Sequence, residues 1–186
     1  MIQIVDLGET EPARIAQVAA LLVDGFADTG STSWRTRDAA LESVHESLGV
    51  DRISRVALDD SGAAVGWIAG LPTYDGYVWE LHPMVVRRDC QRRGIGRALI
   101  ADFEARVRER GGSTIYLGTD DENGRTNIGG RELYPDPLHA ATTVASTAGH
   151  PVEFYRKVGF VVVGVLPDAN GFGKPDIFMA KRVARS

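Results

Sequence analysis

The stretch Trp79–Arg97 constrains this sequence most, because it joins an apolar run to a glycine-containing basic turn and then to a helical pattern. The segment Val78–Val86 is rich in β-branched and aromatic residues and predicts a strand. Gly94 and Gly96 follow, and apolar spacing from Ile95 onward predicts an amphipathic helix. Glycine lets the backbone approach an anion closely, and the first N–H groups of a helix have no acceptor within it. The stretch therefore predicts a phosphate-binding turn.

Other phosphate-binding motifs fit less well. A dinucleotide fingerprint needs glycine or alanine three residues after the second glycine, where this chain has Leu99. The pair Gly173-Lys174 is followed by Pro175, and Asp168 stands where a P-loop needs its first glycine. The alternative that requires no ligand is a basic turn facing water.

Length and charge narrow the class of protein. The 186 residues indicate a single domain over 1–186, and a net charge of −4 with a pI near 5.6 disfavours a nucleic-acid partner. The lone Cys90 cannot form an intrachain disulfide, which favours a reducing cytoplasm. Asp6, Glu9 and Glu11 stand where a signal peptide would need basic and then apolar residues, so we expect none. No apolar run approaches the roughly 18 residues that a membrane span needs. We expect a cytoplasmic protein without a membrane partner.

Periodicity predicts alternating strands and helices of an α/β (α+β) fold. The predicted strands are Ile2–Leu7, Ile53–Leu58, Ala63–Pro72, Val78–Val86, Thr114–Gly118, Phe160–Leu166 and Asp176–Val183. The predicted helices lie in Glu9–Phe26, from Thr36 or Asp38 to about Leu48, from Ile95 to Gly111, near Pro137–Ser146, and in Pro151–Val158. Pro83 removes a ladder donor inside the fourth strand, so we expect a break in strand pairing at His82-Pro83.

The turn also carries a family resemblance. The residues Gln91-Arg92-Arg93-Gly94-Ile95-Gly96 fit the pattern Q/R-x-x-G-x-G/A, and the sequence here resembles the GCN5-related N-acetyltransferases. The resemblance implies acetyl-CoA as co-substrate and a central mixed, mostly antiparallel sheet of about six or seven strands flanked by about four helices. It also implies that strands four and five are parallel and splayed, with the acyl chain of the cofactor in the gap.

Five further segments resemble the aminoglycoside 6'-N-acetyltransferases. They are Trp79–Val86, Thr114–Asp121, His150–Tyr155, Val163–Gly171 and Lys174–Lys181. The resemblance implies transfer of acetyl from acetyl-CoA to the 6'-amine of an aminoglycoside by direct attack in a ternary complex, antibiotic resistance, and a homodimer. Arg35 follows Trp34 where this family often has proline, which leaves another amine open as acceptor.

Three side chains are candidates for catalysis, because an amine near the lysine pKa of about 10.4 must lose a proton before it attacks. Glu80 precedes the predicted break, where it can act as a base or bind the amine; otherwise it is a strand glutamate facing solvent. His82 shares its face in a regular strand and can relay a proton or hold substrate, although a structural histidine is the alternative. The resemblance places Tyr155 near the cofactor sulfur, as an acid for the thiolate; otherwise it is a core aromatic.

The resemblance also implies a cofactor site. The backbone of Met84, Val85 and Val86 would bind the pantetheine arm. The pyrophosphate would lie on Gln91, Arg92, Arg93, Gly94, Ile95, Gly96 and Arg97. We predict no metal site, because the histidines show no ligand spacing.

The acceptor side is predicted from acidic and aromatic residues. Asp120 and Asp121 follow the fifth strand, at the rim where α/β layers bind ligands, and Asp136 lies in the same long loop, 119–150. Together they suit a polycation, although such acids are often only a solvated turn. Trp34 and Tyr134 could supply flat walls for a sugar ring or anchor their loops. A non-catalytic acyl-CoA or antibiotic-binding module is the remaining alternative.

Overall fold

The protein forms seven strands and five α-helices in a computed structural model, which describes residues 2–184. The ends of the predicted domain, 1–186, lie outside these described residues. The strands are β1 (Gln3–Asp6), β2 (Ile53–Leu58), β3 (Ala64–Thr73), β4 (Val78–Val86), β5 (Thr114–Asp120), β6 (Val161–Leu166) and β7 (Asp176–Arg182). The helices are α1 (Pro12–Phe26), α2 (Arg37–Glu46), α3 (Ile95–Glu109), α4 (Pro137–Thr143) and α5 (Val152–Lys157).

One mixed sheet contains all seven strands, in the order β1-β2-β3-β4-β5-β7-β6. The pairs β1–β2, β2–β3, β3–β4 and β6–β7 are antiparallel, whereas β4 and β5 run parallel. A parallel pair needs a crossover, which α3 supplies. The predicted fold class is thereby confirmed, with five helices where about four were expected.

The chain divides into two compact units, of which the first contains the described residues up to Ile115 together with 183–184. Its core lies between the sheet and the first two helices, where Trp67, Leu22 and Val44 are buried. On the opposite face α3 approaches closely, because a Cβ on Gly70 would meet the Phe103 ring at 2.3 Å. Glycine at this position lets α3 pack directly on β3.

The second unit, Tyr116–Arg182, contains the long loop, which is tied down by its own hydrogen bonds. The Asn127 side chain accepts from the Ala145 N–H at 2.7 Å and donates to the Thr143 carbonyl at 3.0 Å. A backbone bridge joins Thr126 to Ser146. The loop therefore has a defined conformation although it contains only one short helix.

Strand β4 contains a bulge where the sequence predicted a break. Ile68 pairs with Met84 and Gly70 pairs with Leu81, so two residues of β4, His82 and Pro83, lie opposite one residue of β3. Two against one is the definition of a β-bulge, which a proline inside a strand favours. The predicted break in pairing is confirmed.

The last strand in sequence does not lie at an edge of the sheet. β7 lies between β5 and β6, so both of its edges are paired within the sheet. The strand at that end of the sheet is β6. None of the helices within residues 2–184 is long and apolar enough to cross a membrane.

Candidate active site

The bulge determines which face of the sheet Glu80 uses. Leu81 pairs with Gly70, whose missing Cβ would point at α3, so Leu81 lies on the α3 face and Glu80 on the opposite face. Cross-strand partners share a face, and neighbours along a strand alternate. Beyond the bulge, Val85 contacts Gly25 of α1 and is therefore on the same face as Glu80. The extra residue reverses the alternation and places Glu80, His82 and Val85 on the face that carries α1.

Trp34 brings the loop after α1 to this face. Its ring centroid lies 5.6 Å from that of His82 and 4.4 Å from that of Phe26. The indole N–H donates to the Ser43 Oγ at 2.9 Å, and only 7% of Trp34 is exposed. His82 itself is exposed. Trp34 is thus a buried support for the His82 ring, and little of its own surface faces solvent.

The predicted phosphate turn has the required backbone geometry. Gly94 has φ of +86° at the start of α3, and it offers no side chain to cap the first N–H groups of the helix. A Cβ on Gly94 would meet no atom within 4 Å, so the space in front of it is open. The Gln91 side chain donates to the Val86 carbonyl at 3.1 Å and ties the turn to the end of β4. The turn presents N–H donors and the positive end of a helix dipole to open space.

Only some of the basic side chains are available at this turn. Arg92, Arg93 and Arg97 are exposed. Arg88 instead donates to the Asp24 carbonyl at 3.0 Å and to the Asp28 carboxylate at 2.6 Å. These two hydrogen bonds connect the turn to the end of α1. An open depression of about 500 Å³ lies beside this contact. It is lined by Leu21, Asp24, Gly25, Ala27, Asp28, Arg87, Arg88 and Asp89, and the predicted catalytic residues do not line it.

The two acidic residues after β5 lie in different environments. Asp120 is exposed, and its carboxylate accepts a hydrogen bond from the Asn170 amide. Asp121 is only 1% exposed, and its carboxylate accepts from the Arg125 N–H at 2.6 Å and from the Thr126 N–H at 2.9 Å. The Thr126 hydroxyl donates to it as well, at 2.6 Å. Asp121 therefore organises the loop in this structure, while Asp120 faces solvent.

The remaining predicted residues of the loop are exposed. Tyr134 is 57% exposed and follows Glu132, whose carboxylate accepts from the Tyr134 N–H. Asp136 caps α4, because its side chain accepts from the His139 N–H at 3.1 Å. Both residues are exposed.

Tyr155 is buried in an aromatic group. Its ring lies 5.3 Å from that of Phe154 and 5.6 Å from that of Phe160, both in edge-on arrangements. It is 8% exposed, and burial raises the pKa of its hydroxyl above the ordinary value. The phenol consequently keeps its proton throughout the neutral range.

A comparison with protein-family models decides the family. Residues 17–128 match the model of the acetyltransferase (GNAT) family, which is more than half of the chain. This chain belongs to the GNAT acetyltransferase family.

Among the described residues, no group of three or more histidine, cysteine, aspartate or glutamate side chains could hold a metal ion.

Solved structures place the acetyltransferase near one group of enzymes. It is 36% identical to an aminoglycoside 6'-N-acetyltransferase complexed with coenzyme A, with a TM-score of 0.90 over 99% of this chain and 98% of the other. The enzyme from Enterococcus faecium gives 36% identity, a TM-score of 0.88 and the same coverage. The type Ii aminoglycoside 6'-acetyltransferase is 34% identical to this chain, with a TM-score of 0.75 over 99% of each chain. A search of curated proteins found no match.

The residues of this acetyltransferase fit coenzyme A at the turn of Gln91–Arg97. A diphosphate needs several N–H donors and positive charge, and the turn offers both beside a glycine that leaves room. Acetyl-CoA supplies the activated acetyl group. The chain supplies the donors, the charge and the side chains around them.

Two residues that contribute to the candidate site were not identified from the sequence. Ser43 supports Trp34, and His150 contacts the Asp120 carbonyl. His150 lies within one of the segments that carry the resemblance, which was the signal that could have identified it. Ser43 lies on a helix that matched the family only loosely, and nothing in its local pattern marks it.

Proposed function

We propose that this protein is an aminoglycoside 6'-N-acetyltransferase that uses acetyl-CoA and thereby confers resistance to the antibiotic. The observation that carries the proposal is the similarity to enzymes of that name, at 36% identity and a TM-score of 0.90 along 99% of the chain. The turn that fits a diphosphate supports the cofactor half of the proposal.

For the cofactor, we assign the pyrophosphate to the N–H groups and exposed arginines of Gln91–Arg97. We assign the pantetheine arm to the backbone of Met84, Val85 and Val86. In this assignment β4 and β5 splay apart beyond the bulge to admit the arm. Burial of Ile95 anchors the helix start while the turn before it stays exposed.

Glu80 and His82 are the residues proposed to act on the acceptor amine. They share the face of β4 that carries Trp34, as the pairing with β3 requires. The Glu80 carboxylate would take a proton from the 6'-ammonium, directly or through water, or hold the ammonium in place. The neutral amine then attacks the acetyl carbonyl directly, because Cys90 is buried and lies in the turn after β4 rather than beside Glu80 in the strand.

Tyr155 is proposed to donate a hydrogen bond to the departing thiolate. Because burial raises its pKa above the ordinary value, its hydroxyl remains protonated and can donate in the neutral range. A phenol of raised pKa stabilises a thiolate mainly through the hydrogen bond, since full transfer of the proton would be uphill.

For the acceptor, we propose that Asp120, Asp136 and Tyr134 bind the aminoglycoside. All three are exposed, and carboxylates attract a polycation. Asp121 would assist by keeping the loop ordered, as its three hydrogen bonds indicate. Trp34 would act on the acceptor chiefly through the His82 ring that it supports.

We also propose that the enzyme is a homodimer working in the cytoplasm as a single domain, with no nucleic-acid or membrane partner. Strand β6 lies at one end of the sheet. Contiguous exposed apolar side chains mark an interface more often than single ones do. The exposed apolar residues of β6 are Val161 at 62%, Val163 at 59% and Leu166 at 49%, and Phe172, between β6 and β7, is 73% exposed. Sedimentation of Val163→Lys beside the parent chain tests this, and an unshifted monomer–dimer equilibrium would contradict it.

The function is tested by measuring free CoA released from acetyl-CoA with kanamycin or tobramycin. A derivative of one acceptor without its 6'-amine is the matched control, and spermidine and a lysine peptide are the other amines. Turnover that disappears without the 6'-amine supports the reaction and its position. Turnover that survives the loss of the 6'-amine contradicts the proposal.

A second candidate is an acetyltransferase of another amine, such as a polyamine, a peptide or an amino sugar. It is favoured by the exposed Arg35, a positive charge next to Trp34 that is unfavourable beside a polycation. Activity on a control amine and none on the aminoglycosides would select this alternative.

A further inference from the structure

His150 is a buried side chain of the second unit whose two ring nitrogens both have partners. It is only 2% exposed. Its Nε2 lies 3.0 Å from the Asp120 carbonyl oxygen, and its Nδ1 accepts from the Val152 N–H at 3.2 Å. The His150 N–H itself donates to the Ser146 Oγ at 2.9 Å. Both ring nitrogens are therefore committed to backbone groups.

These partners fix the form of the ring. A backbone N–H can only donate, so Nδ1 must be unprotonated to accept it. The remaining proton lies on Nε2, where it donates to the carbonyl of Asp120. Burial lowers the pKa of His150, which favours this neutral form. The charges of Asp120 and Asp121 oppose the shift, whereas that of Arg125 adds to it.

The two backbone groups that His150 joins are far apart in sequence. Asp120 ends β5, and Val152 begins α5, the helix that carries Tyr155. The chain between them is the long loop. One neutral imidazole thus links the end of the strand that presents the Asp120 carboxylate to the first turn beneath the Tyr155 ring.

We propose that His150 is a positioning residue for acetyl transfer, which holds the end of β5 and the first turn of α5 together through its two ring nitrogens. The inference rests on the proposed function, because it assigns roles to Asp120 and Tyr155. Protonation would give Nδ1 a hydrogen that points at the Val152 N–H, so the ring can hold both groups only while it is neutral. Loss of either bond frees the helix that orients the Tyr155 hydroxyl.

Two substitutions each remove one of the two hydrogen bonds that the His150 ring makes. In His150→Asn the side-chain oxygen can replace Nδ1 as acceptor for Val152, but nothing reaches Asp120. In His150→Gln the longer amide can replace Nε2 as donor to Asp120, but the acceptor for Val152 is lost. We expect kcat to fall about tenfold or more in each variant, with the KM for acetyl-CoA changed less than about twofold, since small misplacements slow the reaction strongly. The exposed His139→Gln is the matched control and should keep both values.

A readout independent of activity accompanies the kinetics. Nitrogen-15 NMR of the wild-type imidazoles should show one ring with protonated Nε2 and unprotonated Nδ1 that becomes protonated only below the ordinary histidine pKa of 6.5, and whose signal is absent in both variants. A protonated Nδ1 would overturn the inference, as would wild-type kcat in both variants. If the wild type acetylates no aminoglycoside, the proposed function fails instead, and the same variants are assayed on the amine that is accepted, with the same expectations.

Discussion

The indole of Trp34 lies against the imidazole of His82, with 5.6 Å between the ring centroids, and the Ser43 hydroxyl holds the indole N–H. This relationship connects the loop after α1 to the exposed face of β4. An imidazole on an otherwise exposed strand position would sample several rotamers, and the buried ring beside it restricts them. The orientation of His82, on β4, thus depends on a serine of α2.

Replacing Ser43 with alanine should therefore affect both stability and activity. The Trp34 N–H would lose its acceptor in a site that is 7% exposed, which should lower the free energy of unfolding by about 1 kcal/mol. We expect kcat to fall several-fold as well, because the His82 ring loses its fixed neighbour. Urea denaturation and acetyl transfer measure the two effects. Thr32→Ala, in the exposed part of the same loop, is the control and should change neither.

Removing the charge of Glu80 tests its role on the acceptor. Glu80→Gln should lower kcat about 10²-fold, the size of effect typical of a lost general base. If the carboxylate only binds the ammonium, the KM for the aminoglycoside should rise instead while kcat holds. Exposed Glu9→Gln serves as the control for charge. Unchanged kcat and KM in Glu80→Gln would exclude both roles.

Two glycine substitutions distinguish the loss of a phosphate-binding turn from the effect of backbone strain alone. Gly94 has φ of +86° and Gly111, after the other end of α3, has φ of +80°; a Cβ added to either glycine would meet no atom within 4 Å. Alanine at either position should cost about 1 kcal/mol of stability through the left-handed backbone. Only Gly94→Ala should also raise the KM for acetyl-CoA, by about tenfold. Equal KM values in the two variants would argue against the cofactor assignment.

Tyr155→Phe should lower kcat at least about tenfold while leaving the fold intact, because only a hydroxyl is removed from the aromatic group. Burial raises the pKa of Tyr155, so its proton stays bound up to about pH 10 and no alkaline limb below that pH is expected from it. The pH profiles of kcat for the two proteins should then be parallel. An alkaline limb below pH 9 that vanishes in the variant would contradict this.

The stability of the protein should depend on His150 in a defined pH window. Its pKa is lowered in the folded protein from the ordinary value of 6.5, so below that pH the unfolded chain binds the extra proton first. The contribution of the neutral ring is complete above about pH 6.5 and is lost as the pH falls through the folded pKa. Urea unfolding from pH 5 to 8 should show a steeper loss toward acid in the wild type than in His150→Gln. Parallel curves would contradict the expectation.

Much of the fold could be predicted because its signals are local. Pro83 inside a strand predicted the bulge, and Gly94 before an amphipathic pattern predicted where α3 begins. Such features depend on the conformational limits of one or two residues. The long loop was recognised as unusual, yet its internal bonds were not foreseen, because Asp121 uses its carboxylate on its own loop and looks like a surface acid in sequence.

What could not be predicted depends on contacts between distant positions. The position of β7 inside the sheet follows from topology, which strand patterns do not report. The bond from Trp34 to Ser43 and the contact of His150 with Asp120 join residues that no short pattern relates. The face of Glu80 also depended on the pairing of β3 with β4, since a regular strand would have placed it with Met84.

The bulge at His82-Pro83 divides β4 into two segments, and the alternation of side chains between the two faces of the sheet is reversed from one segment to the other. Side chains before it alternate in one phase and those after it in the other, so Glu80 and Val85 share a face that a regular strand would not give them. Substitutions in Val78–His82 can change the side chains that face the acceptor. They do not change which side chains of Met84–Val86 face α3. One inserted residue thus allows acceptor preference to diverge among related chains while the half assigned to the cofactor stays constant.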